Sequence, residues 1–146
     1  MADFTIRVVT PLPARVAFAR LVDWDRHTAA IPFTTLSYEG EARPGQGFVA
    51  RTALGRLGFD DVMVVELLRP PAGDQPSNVP GLVEVSKHGR VLGGSVRWTV
   101  RPLPSGSRVE WAMHLVVGRL SRFADPLVGM IGRLAYGLGL PRILGR

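Results

Sequence analysis

The chain contains no cysteine, only three histidines, and a single lysine, Lys87, among its 18 basic residues. The absence of cysteine excludes disulfide bonds, thiolate metal sites and a cysteine nucleophile, and it is typical of a reducing cytoplasm. His27, His88 and His114 stand far apart in separate predicted elements, without the spacing of metal ligands. We therefore expect a cytoplasmic protein with no metal site and no cofactor.

Long hydrophobic runs are lacking as well. The first residues contain no apolar core of the kind that signal peptides carry, so we expect no secretion signal. Residues 123–140 are strongly apolar, but Asp125, Arg133 and several glycines interrupt them, which makes them too broken for a membrane span. With 46% hydrophobic residues in 146 positions, the composition predicts one domain, residues 1–146, with a substantial core.

Acidic residues are outnumbered, 12 against 18 basic ones, and the formal net charge is +6. Near the C-terminus, Asp125 is the one acidic residue among five arginines: Arg119, Arg122, Arg133, Arg142 and Arg146. One interpretation is a solvated helix face. The other is a weak contact with an anionic membrane, at about 1 kcal/mol per basic residue. Nucleic acid is not an expected partner, because no binding motif is present and the basic residues are not interleaved with exposed aromatics.

Hydrophobic periodicity predicts the order of the elements. A strand over 4–10 precedes a helix from Ala14 to about Asp23 and a short helix over roughly 25–31, which Asp23 or Asp25 could cap. Six further strands follow, separated mostly by short turns that favour antiparallel pairing. They are predicted at 34–40, 47–54, 58–69, 82–88, 91–102 and 107–117.

The final predicted element is a long helix over residues 121–140, with Asp125 and Pro126 near its start. Its apolar side chains recur at helical spacing and predict one continuous face: Phe123, Leu127, Met130, Ile131, Leu134 and Leu138. Glycine inside a helix costs about 1 kcal/mol relative to alanine. A close approach to a sheet or a ligand is therefore expected at its glycines, which are Gly129, Gly132, Gly137 and Gly139.

The last two predicted strands are apolar on one face only. That face carries Val96, Trp98, Val100, Val109, Trp111, Met113, Leu115 and Val117. The opposite face carries Arg97, Thr99, Arg101, Arg108, Glu110 and His114. A sheet of this kind must be covered on its apolar side, so we expect the terminal helix to lie there and to enclose a cavity with the sheet.

Two segments, taken with this order of elements, resemble a known family. They are Pro13-x-x-Val16-Ala17-Phe18-x-x-Leu21-Val22-Asp23 and Trp98-Thr99-Val100…Gly106-Ser107-Arg108-Val109-Glu110-Trp111. The resemblance is to the START/birch-pollen-allergen-like (SRPBCC) superfamily, and within it to the bacterial polyketide cyclase/dehydrase and lipid-transport group. It implies an α+β helix-grip fold, in which a seven-stranded antiparallel sheet wraps round a long C-terminal helix and two short helices follow strand 1.

The same resemblance implies a cavity for lipids, sterols, polyketides or hormones. Some members of the superfamily are aromatase/cyclases, and some relatives are grouped as toxin-like proteins. The glycine-rich loop of the plant members is reduced here to four residues, Pro44-Gly45-Gln46-Gly47. We therefore carry over no phosphate-binding role.

Asp61 and His27 are the candidates for chemistry in such a cavity. Asp60 and Asp61 are adjacent in a predicted strand, so their side chains point to opposite faces and one points inward. If Phe59, Met63, Val65 and Leu67 form the inward face, Asp61 belongs to it and needs a charge partner, either Lys87 or Arg51. Alternatively, the strand begins later and both aspartates are solvated. His27 lies near the expected cavity mouth, and its alternative role is a local hydrogen bond.

Aromatic, methionine and polar side chains complete the predicted cavity lining. It comprises Trp24, His27, Phe33, Phe59, Asp61, Met63, Lys87, Trp98, Trp111, Met113, Met130 and Leu134, with Tyr38 as a further polar group. An ordinary packed core would use the same kinds of side chain.

Three functions stay open at this point. The preferred one is a carrier or sensor that binds a hydrophobic small molecule. The second is an aromatase/cyclase-type enzyme that acts on a poly-β-keto chain, with Asp61 and His27 as acid and base. The third is a toxin-like or membrane-associated interaction protein. The sequence predicts neither the ligand nor the oligomeric state.

Overall fold

One antiparallel sheet of seven strands dominates the computed structural model, which describes residues 2–31, 33–54, 57–88, 92–117 and 125–145. The order across the sheet is β1-β7-β6-β5-β4-β3-β2, so the last strand returns to pair with the first. The strands are β1 (Ala2–Thr10), β2 (Thr34–Ser37), β3 (Gly47–Leu54), β4 (Leu57–Arg69), β5 (Gly81–His88), β6 (Leu92–Leu103) and β7 (Gly106–Val117).

Three helices complete the described fold: α1 (Ala14–Leu21), α2 (Trp24–Ala30) and α3 (Asp125–Leu144). Asp23 caps α2, because its carboxylate accepts a hydrogen bond from the Asp25 N–H at 3.2 Å. The helix α3 packs against β1, α1 and α2, and the core lies between these helices and the apolar face of the sheet. The predicted helix-grip arrangement is confirmed.

Two arginines hold the C-terminal end of α3. Arg20 Nη1 donates hydrogen bonds to the carbonyls of Leu144 and Gly145 at 2.7 and 2.8 Å. Arg26 Nη1 donates to the carbonyls of Ile143 and Gly145 at 3.1 and 2.6 Å. The last carbonyls of a helix lack partners within the helix, and a cation there also complements the helix dipole. These contacts fix the end of α3 against α1 and α2.

In its C-terminal half, α3 turns toward the protein a face that differs from the predicted one. Leu140 and Ile143 are fully buried, whereas Leu134 and Leu138 are 61% and 57% exposed. The prediction for Leu134 and Leu138 is wrong because α3 is apolar on both sides, so periodicity alone does not choose the buried side. The helix also continues beyond residue 140, through Pro141. The side chains of four predicted face residues lie outside the described part of the chain: Phe123, Leu127, Met130 and Ile131.

Gly139 is where α3 approaches another element closely. A Cβ at this position would lie 3.2 Å from Ile31 Cγ1, at the end of α2. The close approach expected from the glycines therefore occurs here against α2, not against the sheet. Gly137 has open space where its Cβ would be, so no close contact accounts for it.

A bulge in β4 changes which of its side chains point inward. The pairing of β4 with β5 shifts register between Val65 and Leu67. Val65 is buried, Leu67 is 37% exposed, and Leu68 packs against the core instead. The prediction that Leu67 faces inward is wrong, because one extra residue reverses the alternation of a strand. The Phe59 side chain, predicted on the same face, lies outside the described residues.

Candidate ligand-binding cavity

A small cavity lies between the sheet, α2 and α3. Its volume is about 30 Å³, which is room for one or two water molecules. A lipid or polyketide would therefore need this interior to enlarge. The described wall residues are His27, Ile31, Thr34, Leu36, Phe48, Ala50, Met63, Lys87, Val96, Trp98, Trp111, Met113 and Tyr136.

The wall residue Lys87 belongs to a buried ion pair whose other member, Asp61, is not itself among the described wall residues. Lys87 Nζ donates a hydrogen bond to Asp61 Oδ2 between the neighbouring strands β5 and β4. The two residues are 5% and 2% exposed. Asp60 points outward and pairs with Arg51 at 2.9 Å, so Arg51 is not the partner of Asp61. Of the alternatives that the sequence left open, the structure has Asp61 facing inward and paired with Lys87.

Burial alters the protonation of both members of this pair. Desolvation raises the pKa of the Asp61 carboxyl, against the opposing effect of the Lys87 charge. Desolvation likewise lowers the pKa of the Lys87 ammonium, against the opposing effect of the carboxylate. The two pKa values approach each other, so moving a proton from Lys87 to Asp61 costs less than it would in water. Asp61 Oδ1 has no hydrogen-bond partner within the described residues.

His27 lies inside the molecule. It is 3% exposed, and the rings of Trp24, Trp98 and Trp111 lie 5.3, 5.5 and 5.7 Å from its own, centroid to centroid. Its Nε2 is 2.7 Å from the Leu21 carbonyl, and because a carbonyl only accepts, Nε2 carries the ring proton. Burial lowers the pKa of His27 to about 4. The imidazole is therefore neutral at pH 7, and its proton is engaged in a structural hydrogen bond.

The three indole N–H groups have different environments. Trp24 Nε1 donates to Gln46 Oε1 at 3.0 Å, and the buried Gln46 amide donates in turn to backbone carbonyls. Trp98 and Trp111 are cross-strand partners whose rings meet edge to face, with centroids 5.0 Å apart. Their Nε1 atoms are buried and have no acceptor among the described residues. Only Trp24 is thus provided with an acceptor by the described protein.

Tyr136 is a cavity residue that sequence reasoning missed. Its ring lies 4.9 Å from that of Trp111 and stacks on Phe4 at 6.2 Å. Burial, with the Asp61 carboxylate as a smaller cause, raises the pKa of the Tyr136 hydroxyl. The signal that could have found it is its spacing from Leu140 and Ile143, which marks the second apolar face of α3. Gln46, which accepts the hydrogen bond of Trp24, lies in a turn, and no comparable pattern in the sequence indicates this role.

The predicted lining residues divide between interior and surface. Met63 and Met113 are buried at the cavity wall, and Trp24 is buried against the wall residue Phe48. Phe33 is 66% exposed, because the chain turns there between α2 and β2 with a φ of 60°.

The predictions that Phe33 and Leu134 line the cavity are therefore wrong. The Tyr38 hydroxyl donates a hydrogen bond to Asp25, which is exposed, and Tyr38 is not among the described wall residues. The side chains of Phe59 and Met130 fall outside the residues that can be described.

A wider cleft of about 580 Å³ runs along α1, but its charges are engaged. Arg15 pairs with Asp74 at 3.2 Å, and Arg20 and Arg26 hold the end of α3. Across the described ranges, no three side chains of the metal-binding types come together as a metal site. No helix in these ranges combines the length and the apolar character needed to cross a bilayer.

Solved structures of the same architecture match nearly the whole chain. The Zhui aromatase/cyclase from Streptomyces sp. R1128 is 11% identical, with a TM-score of 0.71 over 98% of this chain and 91% of that one. Ara h 8.0201 is 14% identical, with a TM-score of 0.66 over 98% and 95%. Norcoclaurine synthase from Thalictrum flavum, in complex with dopamine and hydroxybenzaldehyde, is 10% identical, with a TM-score of 0.66 over 97% and 83%.

No protein-family model and no curated protein matches the sequence. At 10–14% identity the structural likeness shows the fold alone.

Proposed function

We propose that this chain, which has the helix-grip fold of the START/birch-pollen-allergen-like (SRPBCC) superfamily, binds a hydrophobic small molecule as a carrier or sensor. The observation that carries the proposal is the cavity wall, where Trp98, Trp111, Met63 and Met113 surround a few buried polar groups. Small-molecule sites are typically apolar and aromatic with few, convergent polar atoms. Solved proteins of this fold include an aromatase/cyclase and a synthase with dopamine bound, which supports a small-molecule partner.

Binding requires the cavity to enlarge from its present volume of about 30 Å³. Met63 and Met113 contribute flexible, unbranched side chains to the wall, and methionine adapts to irregular shapes at low cost. A flat ring compound between the indoles and the methionines demands less movement than a bulky lipid. We therefore place aromatic or polycyclic molecules ahead of long acyl chains.

The experiment is saturable binding of N-phenyl-1-naphthylamine, a fluorescent apolar probe, to the wild type and to two matched variants. Ala50→Leu fills the cavity from β3, while Ala53→Leu adds the same bulk on the exposed side of that strand. We expect A50L to weaken binding at least tenfold and A53L to leave it unchanged. Urea unfolding checks that both variants fold, since overpacking costs about 1–3 kcal/mol. Absence of saturable binding to the wild type, or equal binding to A50L, rejects the proposal.

An aromatase/cyclase-type reaction on a poly-β-keto substrate is the second candidate. The observation that favours it is the buried Asp61–Lys87 pair, whose pKa values approach each other beside the cavity. A buried acid and base that share a hydrogen bond are suited to the proton transfers of aldol closure and dehydration. His27 is less suited, because its Nε2 proton is bonded to the Leu21 carbonyl.

The test for this candidate is turnover of a short poly-β-keto thioester, with D61N compared against D60N. Asp60 is adjacent in the chain but faces solvent, so D60N changes the same charge outside the cavity. We expect product with the wild type and D60N, and none with D61N. No product with the wild type, or equal rates in both variants, rules the enzyme out.

A contact between α3 and an anionic membrane is proposed as an additional, weak interaction. Leu134 and Leu138 are exposed on the outward side of α3, beside the exposed Arg133 and Arg142. Apolar and basic side chains together are typical of helices that lie on a membrane surface. The positive charge of this face favours an anionic surface over a second copy of itself, because like charges would meet in that case.

A further inference from the structure

We propose that the Trp98 and Trp111 N–H groups recognise a neutral carbonyl oxygen on the ligand, so that the bound molecule is a ring ketone or a related uncharged carbonyl compound. This inference rests on the proposed ligand-binding function and specifies its chemistry. It starts from the two buried indole nitrogens that have no acceptor among the described residues.

A buried donor without an acceptor is costly, because it has given up its hydrogen bonds to water and gained none in the protein. The same chain satisfies Trp24 with a dedicated buried glutamine, Gln46. Trp98 and Trp111 face each other across β6 and β7, are 3% and 2% exposed, and both line the cavity. Two unpaired donors of one kind, on neighbouring residues of one cavity wall, favour an acceptor at that wall.

No acceptor atom of the described residues fills this role. The rings of Trp24, His27 and Tyr136 also lie within about 6 Å of one or both indoles, but a contact of an N–H with a ring face is weaker than a hydrogen bond to oxygen. One or two water molecules fit the cavity and can accept both hydrogen bonds when no ligand is bound. A ligand oxygen that replaces such a water keeps those hydrogen bonds.

The absence of a free cation in the described wall favours a neutral oxygen over a carboxylate. His27 and Lys87 are the wall residues that can carry a positive charge. His27 is neutral at pH 7, and Lys87 is already paired with Asp61. A carboxylate would lose its hydration on entering the cavity and would meet no compensating charge there. The free-energy cost of that desolvation is far larger than the gain from two neutral hydrogen bonds. A ketone, ester or quinone oxygen needs only the donors that are present.

The experiment compares three naphthalenes of similar shape as competitors of the bound fluorescent probe: 2-isopropylnaphthalene, 2-acetylnaphthalene and 2-naphthoate. We expect the wild type to bind the ketone about tenfold more tightly than the hydrocarbon, as one or two hydrogen bonds of about 1 kcal/mol each imply. The carboxylate should bind more weakly than the ketone. Equal affinity for ketone and hydrocarbon, or tightest binding of the carboxylate, overturns the proposal.

Trp98→Phe and Trp111→Phe, singly and together, remove the donors while keeping an aromatic ring. The preference for ketone over hydrocarbon should fall in each single variant and vanish in the double variant, and the hydrocarbon affinity should change by less than threefold. Because the wild-type comparison needs no variant, it decides the question even if the double variant does not fold. If no naphthalene binds at all, the proposed function itself fails. If all three bind without the preference, only the carbonyl site fails.

Discussion

Lys87 and Asp61 form an ion pair on the inner side of the β4–β5 pair, while Arg51 and Asp60 form one on the outer side of β3 and β4. Asp60 and Asp61 are neighbours in the chain, yet one side chain is exposed and the other buried. Both ion pairs therefore join an aspartate of β4 to a basic residue of a neighbouring strand, and they differ chiefly in access to water. This difference decides how much each ion pair affects the free energy of unfolding.

Removing Lys87 should destabilise the protein far more than removing Arg51. K87M leaves the Asp61 carboxyl buried without its partner, which costs about 3–5 kcal/mol, whereas R51M breaks an exposed pair worth about 0–1 kcal/mol. The measurement is the free energy of unfolding in urea at pH 7. The double variant D61L/K87M should recover most of the loss, because no charge stays in the interior. Equal losses in K87M and R51M would contradict the buried pairing.

His27 should make the protein less stable as the pH falls from about 6.5 to 4. Its pKa is lowered from 6.5 to about 4 by burial, so in this interval the unfolded state binds more protons than the folded state. The free energy of unfolding then decreases with decreasing pH, by about 3 kcal/mol in total, and changes little from this source above pH 6.5. Urea unfolding at a series of pH values measures it. In H27Q this decrease in the free energy of unfolding should disappear. In H88Q, which removes an exposed histidine, the decrease should remain.

The sheet could be predicted from the sequence because its strands are polar on one side. In β6 and β7, alternation assigned Trp98 and Trp111 to the inner face and Arg97 and His114 to the outer one, and the structure agrees. In the C-terminal half of α3 the same reasoning fails, because it predicts Leu134 and Leu138 on the buried side and both are exposed. Leu134 and Leu140 are equally apolar, and the choice between them depends on contacts that periodicity does not contain. Among them are the hydrogen bonds from α1 and α2 to the end of the helix.

The candidate site was predictable only in part, for a similar reason. The inward orientation of Asp61 follows from strand alternation, a local property. The lack of an acceptor for the Trp98 and Trp111 N–H groups does not follow from strand alternation, because it depends on which polar groups the rest of the fold brings near. The acceptor that Gln46 provides for Trp24 comes from a turn 22 residues away. Hydrogen-bond satisfaction in the interior is a tertiary property that no pattern of residue types contains.

The reassigned face of α3 can be tested by alanine substitutions on its two sides. L140A and I143A should each lower the free energy of unfolding by about 2–5 kcal/mol, because both side chains are fully buried. L134A and L138A should each change it by less than about 0.5 kcal/mol, because exposed positions contribute little packing. Urea or thermal unfolding of the four variants gives the comparison. A large loss in L134A with none in L140A would restore the face predicted from the sequence.

The outward face of α3 should bind anionic vesicles weakly and in a salt-dependent way. At low ionic strength the wild-type protein should sediment with vesicles of phosphatidylcholine that contain 30% phosphatidylglycerol. It should not sediment with vesicles of pure phosphatidylcholine. Each arginine near such a surface contributes about 1 kcal/mol. R133Q/R142Q should therefore weaken binding at least tenfold, and 0.5 M salt should release the protein because screening shortens the range of the attraction.

Two matched variants separate a specific face from general charge attraction. R97Q/R101Q removes the same charge from the outer side of β6, so it should leave vesicle binding largely intact if α3 is the contact surface. L134S/L138S keeps the charge but removes the apolar side chains that would enter the headgroup region, and it should weaken binding while the salt dependence stays. If R97Q/R101Q and R133Q/R142Q reduce binding equally, the net charge of +6 accounts for the attraction and α3 has no special part in it.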